Sequence, residues 1–257
     1  MKARGEAAGN RVAWITGAGK GIGRALTLRL AKEGWTVAAS ARTEGDLASL
    51  KTESATRRVH CFPLDVTDAT ATAATVAQIE ERFGPLDLAV LNAGTHQPFA
   101  AAEFTVEKVR GLVETNLMGT VSCLAPLMER FIARRSGHLA VVASLAGYRG
   151  LPTAAAYGAS KAGLINMCEA LRPDLEGHGV TLTVINPGFV KTPLTDKNEF
   201  SMPFLISVEA AVDHIVKGLD KGAFEVTFPK RFAVLMKLLR VLPDPLFFAL
   251  TRRMIGT

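Results

Sequence analysis

Short apolar runs alternate along this chain with longer segments in which apolar residues recur every three or four positions. The runs predict seven β-strands, at residues 12–15, 36–41, 59–63, 86–91, 137–143, 181–185 and 225–228. The periodic segments predict helices at residues 21–33, 45–53, 68–83, 105–135, 154–177 and 207–221. Strands that are apolar throughout are buried on both faces, which requires helices on both sides of a parallel sheet.

This alternation of strand and helix predicts the fold class. It indicates an α/β chain with a seven-stranded, mainly parallel sheet that is doubly wound and Rossmann-like, with helices on both faces. Beyond the last strand, residues 229–257 predict a helical tail, in which Asp244 caps a second short helix that starts at Pro245. The 257 residues contain no linker or low-complexity tract, so we expect a single domain over residues 1–257.

The composition is that of a globular protein without disulfides. Hydrophobic residues make up 48% of the chain and charged residues 21%. Cys61, Cys123 and Cys168 lie far apart in apolar stretches, and the five histidines show no metal-ligand spacing, so we expect reduced thiols and no metal site. The first six residues lack the apolar segment of a secretory signal. These features together favour a cytoplasmic protein.

The positive charge of the chain is concentrated at its C-terminal end. The net charge is +6, and residues 221–257 contain seven Lys or Arg against two Asp or Glu. The preceding 220 residues are therefore nearly neutral. Because nucleic acid binds broad basic surfaces, we do not expect it as a partner of this chain.

A glycine-rich turn joins the first predicted strand to the first predicted helix. It reads Thr16-Gly-Ala-Gly-Lys-Gly-Ile-Gly23, in which Ile22 interrupts the common GxGxxG spacing. Such a turn still lets a phosphate group approach the backbone N–H groups at the start of a helix, where the helix dipole favours anions. Other polar motifs follow the later strands, at the sheet edge where folds of this kind bind their ligands.

These motifs occur in the order and at about the spacing of a known family. Residues 11 to about 192 resemble the short-chain dehydrogenase/reductases in carrying Thr16-Gly-x-x-x-Gly-x-Gly23, Asp65-Val66, Asn92-Ala-Gly94, Asn116, Ser144, Tyr157-x-x-x-Lys161 and Pro187-Gly188. The resemblance implies an oxidoreductase that transfers hydride between a nicotinamide dinucleotide and a small carbonyl or alcohol. It also implies a homodimer or homotetramer that associates through the helices at 105–135 and 154–177.

The resemblance also implies which residues contact the cofactor. It places Gly17, Gly21, Ile22 and Gly23 at the phosphates, Asp65 and Val66 at the adenine, and Asn92, Ala93 and Gly94 beside the adenosine ribose. It places Tyr157 and Lys161 at the nicotinamide ribose, and Pro187, Gly188, Val190 and Thr192 at the nicotinamide.

Two cations near the glycine turn predict which dinucleotide binds. A site for NAD usually has Asp or Glu at the end of the second strand for the ribose 2′-hydroxyl, whereas this chain has Arg42 there. Arg42 can hold a 2′-phosphate through a forked contact, and Lys20 can approach the same group from the turn. We therefore expect NADP(H), which the family's NADP-preferring members bind with a similar basic pair.

Four residues carry the predicted chemistry. Tyr157 and Lys161 are one helical turn apart, so we expect the cation to lower the pKa of the phenol and make it a general acid or base. By the resemblance, Ser144 orients the substrate oxygen and Asn116 holds a water beside Lys161. The alternative function is an NADP(H)-binding sensor or scaffold without turnover, which would not need these four side chains.

The residues after 192 form the predicted substrate side. Residues 193–206 resemble the family's substrate lid, with an apolar face formed by Phe200, Met202, Phe204, Leu205 and Ile206. With Leu145, Tyr148, Leu151 and Phe189 nearby, they favour a lipophilic substrate.

The basic tail at residues 229–257 leaves two alternatives. Its apolar face packs on the protein, at the cleft or at another subunit, or the tail lies on an anionic membrane surface. Neither of its helical segments is long enough to cross a bilayer.

Overall fold

Seven parallel strands form the sheet at the centre of the molecule. The computed structural model describes residues 11–197 and 202–254, and the strands within them are β1 (Val12–Thr16), β2 (Thr36–Ala41), β3 (Val59–Pro63), β4 (Leu88–Leu91), β5 (His138–Val142), β6 (Thr181–Pro187) and β7 (Glu225–Phe228). Their order across the sheet is β3-β2-β1-β4-β5-β6-β7, and each neighbouring pair is parallel. The predicted doubly wound sheet is confirmed.

Helices cover both faces of this sheet. In the described residues they are α1 (Gly21–Lys32), α2 (Glu44–Glu53), α3 (Ala69–Phe83), α4 (Val106–Val113), α5 (Gly119–Ala133), α6 (Ala155–Gly177), α7 (Val208–Asp220), α8 (Lys230–Val241) and α9 (Asp244–Met254). Trp14 of β1 points into a core shared with α3, α5, α6 and α8, and its neighbour Ile15 points into a core shared with α1, α2 and α7. Burial on both faces explains why the strand sequences are almost entirely apolar.

The helix predicted over residues 105–135 is interrupted. α4 ends at Val113, a π-helical turn spans Glu114–Met118, and α5 begins at Gly119. A π turn uses i→i+5 hydrogen bonds and so accommodates extra residues, which the apolar spacing of the sequence does not reveal. The turn holds Asn116 fully buried within the protein.

The strand order reverses between β1 and β4, which creates a crevice at the carboxyl edge of the sheet. The glycine turn follows β1 at this edge, Asn92 follows β4 and Ser144 lies just beyond β5. The parallel sheet therefore brings together motifs that are more than a hundred residues apart in the chain.

The tail packs on the same face of the sheet as α6. Phe232 and Met236 of α8 are buried in that core, so one face of the tail packs on the sheet of its own chain. The prediction that Asp244 caps α9 is wrong by one residue. The Pro243 carbonyl accepts the first helical hydrogen bond, and the carboxylate of Asp244, now the first helical residue, pairs with Arg149. Within residues 11–197 and 202–254, no helix combines the length and apolarity needed to cross a membrane.

Candidate active site

Two adjoining hollows lie along the carboxyl edge of the sheet. The larger, of about 450 Å³, is lined by eleven of the predicted cofactor contacts: Gly17, Lys20, Gly21, Ile22, Arg42, Asp65, Val66, Asn92, Ala93, Gly94 and Thr192. The smaller, of about 110 Å³, is lined by Ser144, Tyr157, Lys161, Pro187, Gly188 and Val190. Because Ile22, Asn92, Gly94 and Thr192 line both, the two hollows form one continuous cleft.

The glycine turn is locked onto the end of β4. Gly17 and Gly21 have φ angles of +64° and +54°, in the left-handed region that favours glycine. The hydroxyl of Thr16 accepts hydrogen bonds from the N–H groups of Asn92 (3.0 Å) and Ala93 (3.1 Å). The Asn92 amide in turn donates to the carbonyls of Thr16 (3.1 Å) and Gly17 (3.2 Å). Thr16 had no predicted role beyond its place in the motif, because this contact joins residues distant in sequence.

Gly23 lies behind the cleft wall rather than in it. A Cβ atom at this buried position would lie 2.9 Å from the carbonyl carbon of Gly17 and 2.5 Å from the side-chain Nδ2 of Asn92. Both distances are shorter than non-bonded atoms allow. The glycine therefore allows α1, the turn and β4 to approach one another. Its contact with a phosphate stays a prediction.

Helix α1 begins at this turn without a side-chain cap. Its N-cap residue, Lys20, makes no capping hydrogen bond, and the first turn contains no acidic residue. Asp68, Thr105 and Ser207, by contrast, cap α3, α4 and α7 with their side chains. The N–H groups at the start of α1 therefore remain available to an anion at the cleft, and this arrangement fits the phosphates of a dinucleotide.

The two cations predicted to select the dinucleotide lie on the cleft rim, each beside a carboxylate. The Nζ of Lys20 is 3.3 Å from Asp46, and a guanidinium nitrogen of Arg42 is 4.0 Å from Asp65. Both cationic side chains are about two-thirds exposed, at 64% and 66%, so they can turn toward a ligand. Asp46 was not predicted from the sequence, because only the packing of α2 brings this residue back to the turn.

Arg24 fastens the glycine turn to α2. Its guanidinium donates to the carbonyls of Gly19 (3.1 Å) and Asp46 (3.2 Å) and pairs with Glu53 at 2.5 Å. The residue was visible at the end of the glycine motif, but its spacing indicated no function. It acts as a positioning residue for the rim that carries Lys20.

Tyr157 and Lys161 lie one turn apart on α6, as predicted, but their pKa values differ from expectation. The Nζ of Lys161 donates to the Val142 carbonyl at 2.9 Å and lies 5.8 Å from the centre of the Tyr157 ring. Burial lowers the pKa of Lys161 to about 8. Burial also raises the pKa of Tyr157, and a hydrogen bond with Ser144 opposes this rise only in part. The expected lowering of the tyrosine pKa is therefore wrong for this structure, because burial disfavours the charged phenolate.

Ser144 is held at the mouth of the smaller hollow by its own backbone turn. Its hydroxyl accepts from the N–H of Ala146 at 3.1 Å and caps the 3₁₀ turn Leu145–Gly147. The same hydroxyl donates weakly to the Pro187 carbonyl at 3.4 Å. The long second bond leaves the proton of Ser144 free to move to a better acceptor beside Tyr157.

The side chain of Asn116 makes three hydrogen bonds within the protein. Its oxygen accepts from the N–H of Thr95 at 2.7 Å, and its amide donates to the Thr95 carbonyl (3.0 Å) and the Ser160 hydroxyl (3.1 Å). Ser160 donates to the Tyr157 carbonyl at 2.8 Å, so Asn116 connects the loop after Gly94 with α6. The oxygen accepts one hydrogen bond and has a second lone pair, and its predicted role of holding a water beside Lys161 stays a prediction.

His96 lies against the predicted catalytic tyrosine, a contact that the sequence analysis missed. The two ring centres are 4.5 Å apart in an edge-on arrangement. The one available signal was its position, two residues beyond Gly94 at the carboxyl edge of β4.

Tyr148 does not line the cleft, contrary to expectation. It is buried in the core, where its hydroxyl donates to Glu225, and Asn186 donates to both the Tyr148 oxygen (3.3 Å) and Glu225 (3.1 Å). Lys237 of α8 pairs with the same carboxylate at 2.5 Å. This cluster connects the tail to the loop that follows Ser144.

The predicted lid is only partly as expected. Ile206 pairs with Val190 in a short parallel bridge, whereas Phe204 and Leu205 are 45% and 43% exposed instead of facing the cleft. The ring of Phe204 stacks on Phe232 of α8 at 6.0 Å. Phe200, which was predicted for the same face, lies outside the described residues.

Comparison with known proteins agrees with this cleft. The model of the short chain dehydrogenase family matches residues 11–201. An uncharacterized oxidoreductase of Myxococcus xanthus is 44% identical over 246 residues, which cover 95% of this chain and 97% of that protein. The reductase FabG of Thermotoga maritima, named for 3-oxoacyl-acyl-carrier-protein, is 33% identical over 189 residues, or 73% of this chain and 77% of its own.

A solved structure also resembles this chain. A variant of actinorhodin polyketide ketoreductase, crystallised with NADPH, superimposes with a TM-score of 0.77 at 29% identity, and the match covers 85% of this chain and 95% of that one. The strand order, the glycine turn and the Tyr157–Lys161 pair are thus found in a chain whose sequence matches one family over most of its length. The chain belongs to the short-chain dehydrogenase family and is an oxidoreductase.

Proposed function

We propose that this enzyme reduces an apolar carbonyl compound with NADPH and that Tyr157 donates the proton. The observation that carries the proposal is the continuity of the cleft: the hollow lined by Ser144, Tyr157 and Lys161 opens into the hollow at the uncapped start of α1. A sensor or scaffold would need the second hollow but not the first. The reductase names of two relatives, one of them holding NADPH, support the same conclusion.

The residues of the larger hollow suit NADP(H). The N–H groups that begin α1 would hold the phosphates, and Lys20 and Arg42 would pair with the 2′-phosphate. Asp65 and Val66 would border the adenine, Asn92, Ala93 and Gly94 the adenosine ribose, and Pro187, Gly188, Val190 and Thr192 the nicotinamide. When bound, the nicotinamide supplies the hydride, and the protein supplies orientation and a proton.

The titration behaviour of the catalytic groups favours reduction. Because burial raises the pKa of Tyr157, the phenol keeps its proton at neutral pH and can give it to the oxygen of a carbonyl. Ser144 donates a hydrogen bond to the same oxygen and orients it. Lys161, with a pKa of about 8, is cationic at neutral pH and stabilises the phenolate that remains after the proton has moved.

The walls of the smaller hollow favour an uncharged substrate. Ile22, Val142, Val190 and Leu194 present apolar surface there. Among the described residues, Lys161 is the charged side chain that lines this hollow, and it is committed to Val142 and the tyrosine. A carboxylate or ammonium group on the substrate would therefore be desolvated without a partner.

We also propose a self-associating cytoplasmic enzyme. Phe104, Val106 and Met118 are exposed near α4 and the start of α5, where the family resemblance predicts the contact between subunits. A second copy would cover these apolar side chains.

The test is oxidation of NADPH with a panel of apolar and charged carbonyl compounds. The loss of NADPH absorbance measures turnover. We expect reduction of apolar members, and we expect Tyr157→Phe to lower turnover by at least about a hundredfold. Tyr148→Phe is a matched control, because Tyr148 is the other of the two tyrosines and lies outside the cleft. Tight NADPH binding without turnover of any member would favour the sensor instead.

A further inference from the structure

Helix α8 is apolar on two opposite faces. Phe232 and Met236 are buried against the sheet. The opposite face carries four side chains that are 59%, 43%, 60% and 77% exposed, namely Val234, Leu235, Leu238 and Val241. Their spacing of i, i+1, i+4 and i+7 places them on one side of the helix, and we call them the tail surface. An exposed apolar stripe of this kind on a folded protein usually marks a contact with another protein, a membrane or a ligand.

Exposed apolar side chains continue on the segments beside α8. Phe204 and Leu205 are exposed, and the ring of Phe204 stacks on Phe232, on the inner side of the same helix. Phe232 also stacks on Phe189, two residues after Pro187, which lines the smaller hollow. The apolar region therefore extends from α8 toward the segment predicted to cover the substrate.

The charge of the tail indicates the chemistry of its partner. Residues 230–254 contain six Lys or Arg side chains and one Asp. That acid, Asp244, pairs with Arg149, which is not part of the tail. Lys230 and Arg231 are exposed in the first turn of α8, immediately before the tail surface on the same side of the helix. The surface thus combines apolar side chains with adjacent cations.

We propose that the tail surface binds the surface of an anionic lipid bilayer. Lipid headgroups would neutralise Lys230 and Arg231, and the four aliphatic side chains would enter the boundary of the acyl chains. A second copy of the tail fits less well, because its single acid, Asp244, pairs with Arg149 and offers no free carboxylate to Lys230 and Arg231. Peripheral binding is the geometry that α8 allows, since a helix of twelve residues is too short to span a bilayer.

The proposal stands apart from the reaction itself. Membrane binding would bring the cleft to apolar substrates dissolved in lipid, but neither the tail surface nor its cations line the two hollows. Turnover of a water-soluble carbonyl compound is therefore a separate measurement. A chain that reduces the soluble compound but does not bind vesicles contradicts the membrane proposal alone. A chain that binds vesicles but does not reduce the compound contradicts the proposed function alone.

The experiment is sedimentation of the full chain with vesicles of phosphatidylcholine, with and without phosphatidylglycerol. We expect binding to the anionic vesicles that is released by added salt, and little binding to the neutral ones. Lys230→Ala with Arg231→Ala should lower the partition coefficient by about 25-fold, as expected for the loss of two cations at a membrane surface. Lys51→Ala with Arg57→Ala removes the same charge from exposed positions elsewhere and should leave binding nearly unchanged.

A second variant tests the apolar part. Val234→Ser with Leu238→Ser should also reduce vesicle binding, while NADPH binding by the same protein verifies that it is folded. Absence of salt-sensitive binding by the unaltered chain overturns the proposal. It is likewise overturned if the serine variant binds vesicles as well as the unaltered chain does, or if the variant instead changes the subunit number in sedimentation velocity.

Discussion

Lys20 and Asp46 form an ion pair with 3.3 Å between Nζ and the carboxylate, on the rim of the cleft proposed for the cofactor. A carboxylate at this place opposes the 2′-phosphate that Lys20 is proposed to hold. Binding of NADPH would require the cation to exchange one anion for another.

Asp46→Asn should therefore strengthen NADPH binding by about threefold to tenfold, because it removes a nearby negative charge and frees Lys20. NADH binding should change little, since NADH has no phosphate at this place. Fluorescence titration of both dinucleotides measures the effect. Glu44→Gln, which removes the same charge from the first turn of α2, is the control. An equal gain for both dinucleotides would contradict the proposed position of Lys20.

Arg42 is expected to decide the choice of dinucleotide. The unaltered chain should bind NADPH at least about tenfold more tightly than NADH, the difference expected for one charge-assisted contact. Arg42→Asp should reduce or reverse this preference, because a carboxylate repels the phosphate and accepts from the 2′-hydroxyl of NADH. Equal affinities of the unaltered chain for the two dinucleotides would show that neither rim cation selects the phosphate.

The rate of carbonyl reduction should fall as the pH rises through about 8. Burial lowers the pKa of Lys161 to about 8, so the side chain is cationic below this pH and neutral above it. Loss of the cation removes stabilisation of the Tyr157 phenolate, and kcat should decline about tenfold per pH unit above the transition. Samples returned to pH 7 should recover full activity. A rate that stays constant up to pH 10 would show that the charge of Lys161 does not affect the reaction.

His138 should make the fold sensitive to mild acid. Thr183 donates its hydroxyl proton to Ala223 at 2.7 Å, so the His138 Nε2 must donate to Thr183 at 2.8 Å. Burial lowers the pKa of His138 to about 4, below its ordinary value near 6.5. The unfolded chain therefore binds a proton between these pH values that the folded chain refuses, and stability falls as the pH is lowered from 6.5 toward 4.

Urea unfolding of the unaltered chain and of His138→Gln at pH 7.5 and pH 5 measures how much stability this histidine removes in acid. The histidine should account for about 2 kcal/mol of the stability lost between the two pH values, and the Gln variant should lack that loss. His214→Asn, at an exposed position, should lose stability as the unaltered chain does. If His138→Gln shows the same acid loss as the unaltered chain, the buried ring is not its source.

Glu225 should stabilise the attachment of the tail. Its carboxylate accepts from Tyr148, Asn186 and Lys237 at once, so Glu225→Ala removes an acceptor from two buried donors, Tyr148 and Asn186, and the ion-pair partner of the exposed Lys237. We expect a loss of about 2–4 kcal/mol in the free energy of unfolding. Tyr148→Phe removes one donor and should cost about 1 kcal/mol. The double variant Glu225→Ala, Tyr148→Phe should lose less stability than the sum of the losses of the two single variants. A loss equal to that sum in urea titrations would show that the two groups do not interact.

Much of the fold could be predicted from local sequence. The runs at residues 12–15 and 36–41 match β1 and β2 because strands covered on both faces must be apolar at nearly every position. The glycine turn was identifiable because left-handed backbone at Gly17 and Gly21 leaves glycine as the residue of least strain. The long helix at 105–135 was the exception, since a π turn around Asn116 preserves the apolar spacing on either side.

Residue order and residue type were thus enough to establish the parallel sheet, the family and most of the residues that line the cleft. Only the tertiary structure decided the electrostatics: that Asp46 lies beside Lys20, that burial raises the pKa of Tyr157, and that Tyr148 turns away from the cleft to Glu225. The physical reason is that periodicity and motif spacing report on contacts within an element or along a strand edge. Desolvation and charge pairing depend instead on which distant segments pack together, and no local pattern encodes that.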